Sequence, residues 1–88
     1  MHLNWKSYRD DPNAPTQYLA TYRGCTLRVV YMKPHEYTTF VERECVICTG
    51  YFYGKNALHR AKLAGPKLAN VMIFHAATHN ESKKGSVR

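Results

Sequence analysis

From Gln17 to Tyr53 apolar and polar residues alternate along most of the chain, and the alternation breaks chiefly where turn formers stand. A period of two marks a strand with one face on a core and the other away from it. Tyr18, Ala20 and Tyr22 share one face of a first segment, and Arg23 with Gly24 supplies a hairpin turn after it. Over Thr26 to Met32, Leu27, Val29 and Tyr31 fall on one face and Arg28, Val30 and Met32 on the other. That second face is only weakly polar, which predicts a central strand partly covered on both sides. Lys33, Pro34, His35 and Glu36 form the next turn. Thr38 to about Tyr53 reads as one long β-rich run. Its phase slips, so a bulge or break is expected near Glu44 and Cys45 or near Gly50. Upstream, Arg9 to Thr16 contains Pro12 and Pro15 and reads as a loop, with Trp5 and Tyr8 as anchors packed on the sheet.

After Gly54 the period changes. Asn56 is a candidate N-cap, and Ala57, Ala61, Ala64, Leu68, Val71 and Met72 recur at helical spacing. Gly65 and Pro66 interrupt this stripe. A proline in a helix interior costs about 3 kcal/mol, whereas the first helical position tolerates it. The helix is therefore expected to kink or split at that pair and to end at about Thr78. The predicted fold class is α+β: a three-stranded antiparallel sheet followed by a C-terminal helix, in the order β-β-β-α. A single domain is expected over residues 1–79, with a basic disordered tail over 80–88. The chain's 88 residues suit one core, and its seven Tyr, three Phe and one Trp argue against intrinsic disorder.

The net charge of +7 is unevenly placed. Residues 1–54 carry six basic against five acidic side chains, and residues 55–88 carry seven against one. The net charge excludes an acidic nucleic-acid mimic, and the asymmetry points to a polyanion or an acidic protein surface as partner. The three cysteines, Cys25, Cys45 and Cys48, are odd in number, and no apolar leader opens the chain. A reducing, cytoplasmic setting is expected in place of a disulfide framework, the host-cell cytoplasm if the chain is phage-encoded. A core this small also leaves room for stabilisation by a partner chain, a homodimer or a metal.

Three groups of residues carry candidate chemistry. Cys45 and Cys48 have Cys-x-x-Cys spacing, and His75 and His79 stand four apart on a helix, which together make a valid tetrahedral zinc set. The alternative is that Cys45 and Cys48 are small residues of a strand. Tyr31, Tyr51 and Tyr53, with Arg28 and Arg43, could stack bases, anchor a protein interface, or simply close the core. Lys55, Arg60, Lys62 and Lys67 form a basic helix suited to phosphate or to an acidic surface. No nucleophile, paired carboxylates or phosphate loop is arranged for catalysis, so a non-enzymatic binding protein is expected.

Several resemblances accompany these residues. Cys45, Cys48, Phe52 and Leu58 resemble the start of a two-Cys, two-His zinc finger, although position 61, where that family has its first His, is Ala61. Gly54 and Lys55 followed by Ala57, Ala61 and Ala64, after three strands, are similar to the last helix of double-stranded-RNA-binding domains, over residues 17–69. That likeness implies RNA or DNA contact through the helix N-terminus and its lysines. An early Trp5, a tyrosine-rich hairpin, a further strand and an Ala-rich helix look like small phage and mobile-element accessory proteins, including anti-CRISPR inhibitors, over residues 5–74. This resemblance implies docking on a host protein or nucleoprotein complex without chemistry.

Overall fold

In a computed structural model, which describes residues 3–86 and side-chain surroundings for residues 3–76, the alternating region folds as an antiparallel meander. Its strands are β1 (Lys6–Tyr8), β2 (Gln17–Tyr22), β3 (Cys25–Lys33), β4 (Glu36–Arg43) and β5 (Val46–Tyr53), and they lie side by side in chain order. One helix, α1 (Ala57–Ser86), follows. The α+β class and antiparallel sheet match the sequence reading. The sheet has five strands instead of three, and the helix is single instead of split.

Both extra strands have a local cause. The run from Thr38 to Tyr53 is a hairpin in which Arg43 faces Val46 across the two-residue turn Glu44 and Cys45. Glu44 adopts φ 56 there, a left-handed backbone that glycine or asparagine would have announced. The phase slip, expected as a bulge or break near Glu44 and Cys45 or near Gly50, is this reversal at Glu44 and Cys45. The other addition, β1, is only three residues long and pairs Lys6, Ser7 and Tyr8 with Leu19, Tyr18 and Gln17. The loop after it is held by Arg9 Nε donating to Thr16 Oγ1 (2.9 Å) and by the Asn13 amide donating to Asp11 Oδ1 (2.8 Å). The β2–β3 turn is the one the sequence announces. Arg23 and Gly24 both have positive φ, the backbone of a tight hairpin connection.

The core lies between one face of the sheet and α1. Ala20, Cys25, Leu27, Val29, Thr39 and Val41 of the sheet are buried, as are Ala57, Ala61, Gly65, Ala69 and Met72 of the helix. Small residues every fourth position let the helix settle close to the strands. A Cβ on Gly65 would come 3.1 Å from Leu27 Cδ1 and 3.5 Å from the Trp5 ring. Trp5 is thus an anchor, whereas Tyr8 lies half out of the opposite face, its hydroxyl donating to Gln17 Oε1 (2.8 Å). Val71, expected in the apolar stripe, is exposed because the stripe that meets the sheet runs through Gly65 and Ala69.

The helix continues through Pro66 because it is fastened on both sides of it. Before the proline, the buried Thr39 hydroxyl donates to the Ala61 carbonyl at 2.7 Å. After it, Asn70 Oδ1 accepts from Arg23 Nη1 (2.7 Å) and from the Tyr22 hydroxyl (3.3 Å). Tertiary contacts of this kind override local propensity. Asn56 holds the cap position through its carbonyl, which accepts from the Arg60 amide at 3.0 Å, but with φ 60. The helical backbone runs past the expected end at Thr78 to Ser86, a stretch that contains no proline.

Candidate functional site

The strand registers sort the sheet's side chains into two faces. One packs on α1. On the other, three cross-sheet rows are fixed by pairing: Lys6, Leu19, Arg28, Phe40 and Thr49; Tyr8, Gln17, Val30, Thr38 and Tyr51; and Thr21, Thr26, Glu42 and Ile47. Among the described residues no element covers this second face. A solvated antiparallel face is ordinarily polar. Here Leu19, Val30 and Phe40 run through its centre, and Met32, Ile47, Tyr51 and Tyr53 stand out at 52–65% exposure. The expectation that the weakly polar side of β3 is partly covered therefore fails. The strand is central, and that side is open.

A hollow of ≈ 50 Å³ lies on the same face, bounded by Thr26, Arg28, Phe40, Glu42 and Ile47. Its lining brings together one aromatic ring, one cation and one carboxylate. At the β5 margin the Tyr51 hydroxyl donates a short hydrogen bond to the Glu36 carboxylate. That bond, made by the neutral phenol, raises the Tyr51 pKa above its usual 10.0. The Tyr51 and Tyr53 rings lie beside one another with centroids 5.7 Å apart.

The sequence-predicted residues divide among three surfaces. Arg28, Tyr51 and Tyr53 share the open sheet face. Tyr31 turns to the helix side, where its ring meets Tyr37 edge-on at 5.7 Å, and burial raises the Tyr37 pKa above 10.0. Arg43 also lies on the helix side and borders a groove between β5 and α1. The basic helix set is partly committed within the chain. Arg60 donates through Nη2 to the carbonyls of Tyr53 and of Lys55 (2.9 Å), clasping the strand-to-helix turn. Lys62 Nζ sits 4.4 Å from the centre of the Tyr18 ring, a cation–π contact. Lys55 and Lys67 are exposed. Leu19, Val30, Met32, Phe40 and Ile47 were not singled out from the sequence. For Val30 and Met32 the signal was the weakly polar second face of β3, which the chain alone does not tell apart from burial.

The zinc set is only partly brought together. Cys48 and His75 border the same groove, a cavity of ≈ 650 Å³ also lined by Val46, Val71 and Met72. Cys45 is exposed in the β4–β5 turn, and all three cysteines are free thiols. Among the described residues no three His, Cys, Asp or Glu side chains converge as metal ligands, and the His79 side chain lies outside those residues. Nor is any helix among the described residues long and apolar enough to cross a membrane. No protein-family model, curated protein or solved structure matches the chain.

Proposed function

We propose that this protein is a non-enzymatic docking module whose open sheet face occludes part of a partner protein or nucleoprotein complex, in the manner of a phage-type anti-defence inhibitor. The observation that carries this reading is the uncovered face itself. Apolar side chains occupy its central rows, and Arg28 stands among them. Contiguous apolar surface on a small soluble chain marks an interaction site, and aromatic residues and arginine dominate binding at such sites. The face bears Lys6, Arg28 and Lys33 against Glu36 and Glu42, a balance of only +1. Such a face fits a folded protein surface better than bare phosphate.

A second reading is direct nucleic-acid binding through the helix. Residues 55–76 contain Lys55, Arg60, Lys62 and Lys67 and no acidic residue, which supports it. Pull-down from host lysate with and without nuclease separates the two. Docking through the sheet predicts capture that survives nuclease, is lost with Val30→Glu, and persists when Lys55 and Lys67 are both changed to Glu. Capture that vanishes with nuclease, or that ignores Val30→Glu, overturns the docking reading. Direct phosphate contact further predicts binding that weakens steeply with salt.

A further inference from the structure

The two edges of the sheet are unlike. The β1 edge is three residues long, carries Lys6, and is followed by a loop containing Pro12 and Pro15. Those are the devices by which proteins blunt an edge against further pairing. The β5 edge is open along most of its length and is covered only at its end, where the Arg60 guanidinium donates to the Tyr53 carbonyl. Its eight residues, Val-Ile-Cys-Thr-Gly-Tyr-Phe-Tyr, include no charge and no proline and are rich in β-branched and aromatic side chains. Val46, Ile47, Tyr51 and Tyr53 are 54–65% exposed along it. From this asymmetry we infer that β5 is a dimerisation edge, pairing antiparallel with β5 of a second copy of the chain to make one continuous sheet.

The hydrogen-bonding phase of the strand defines the register. Arg43 and Val46 flank a two-residue turn and therefore exchange hydrogen bonds, as does every second pair beyond them. The Gly54 amide donating to the His35 carbonyl at 2.8 Å fixes the same phase at the far end. The backbone N–H and C=O groups of Ile47, Thr49, Tyr51 and Tyr53 then point to the free edge. Antiparallel pairing centred on Gly50 satisfies the free groups of Ile47, Thr49 and Tyr51 and the Tyr53 N–H in each copy, while the Tyr53 carbonyl, which already accepts from Arg60, takes its second hydrogen bond there. It sets Thr49 against the partner's Tyr51 and Ile47 against the partner's Tyr53, with the glycines opposed at the two-fold axis. No like charges meet across β5 in this arrangement, because the strand has none.

The second layer accommodates this pairing. α1 lies chiefly over β4, with β5 and β3 to either side. At the ~4.8 Å spacing of strands, its axis sits about one and a half spacings from the two-fold axis. Two helices then run roughly 14 Å apart, wider than direct helix contact, with Leu68, Val71 and Phe52 of each copy between them. Because the β1 edges at both ends are blunt, association closes at two copies and does not propagate. A closed isologous pair follows from a single open edge. The inference is independent of what the open sheet face binds.

Sedimentation equilibrium of the purified chain at about 100 µM tests it, a concentration that populates even a weak dimer. The expected mass is twice 10.2 kDa. Thr49→Pro removes a donor that the chain's own sheet does not use, and Thr49→Lys places a charge on the edge. Each is expected to weaken association at least ~100-fold while circular dichroism stays native. Amide exchange supplies a readout needing no substitution: Ile47, Thr49, Tyr51 and Tyr53 should gain protection as concentration rises. A wild-type mass of 10.2 kDa at that concentration, folded variants that remain dimeric, or protection that is independent of concentration overturns the proposal.

Discussion

Replacing Pro66 by alanine is expected to stabilise the protein. Pro66 is the tenth residue of α1, so its missing N–H leaves the Lys62 carbonyl without the helical donor it would otherwise have. Proline in a helix interior is about 3 kcal/mol worse than alanine. The ring is half-buried, and truncating it removes apolar contact on the order of 1 kcal/mol. The net gain is then about 2 kcal/mol, or roughly 10 °C in Tm for a domain of this size. Thermal unfolding followed by circular dichroism reads it directly. The opposite arrangement makes the opposite forecast. If Pro66 opened a second helix, its fixed φ would suit that position and alanine would be neutral or harmful. An unchanged or lowered Tm for Pro66→Ala would refute the continuous helix.

Other expected outcomes follow from single contacts. Thr39→Val keeps the shape of a fully buried side chain but removes the hydroxyl that reaches the Ala61 carbonyl. It should cost about 1 kcal/mol in denaturant unfolding, the net worth of one hydrogen bond. Glu44→Gly relieves a left-handed backbone that costs a side chain roughly 1 kcal/mol, partly offset by glycine's looser unfolded state, so it should stabilise by about 0.5 kcal/mol. Tyr51 should ionise above the usual 10.0, because its neutral hydroxyl serves Glu36, and Glu36→Gln should bring its titration down, read by tyrosinate absorbance. The sign for stability follows: with the folded pKa raised, this bond's contribution is fully present below pH 10.0 and is lost as pH rises through the folded value.

The sheet was legible where turns have marked chemistry. Arg23 and Gly24 announced the first hairpin, and Gly54 announced the change from strand to helix. The β4–β5 hairpin showed in the sequence only as a bulge or break near Glu44 and Cys45, because those two residues reverse the chain without glycine, asparagine or proline, and the left-handed residue is a glutamate. The short β1 was invisible because three residues carry too little periodicity to count. Pro66 misled for a different reason. Its local cost is real, but Thr39 and Asn70 hold the helix on either side, and tertiary contacts do not show in propensity. Of the candidate surface, Arg28, Tyr51 and Tyr53 could be named in advance, but not their shared face. Which residues lie together depends on register across four pairings, and register followed from the β4–β5 hairpin.

The open sheet face is tested most directly by proximity in the intact cell. A photo-crosslinking residue placed at Thr38, in the central row between Val30 and Tyr51, samples what touches that face. The same group at Lys67 samples the exposed basic side of α1. Docking through the sheet predicts a discrete protein adduct from position 38 that resists nuclease, with little or none from position 67. Adducts confined to position 67, or nucleic acid in place of protein at either position, would contradict it.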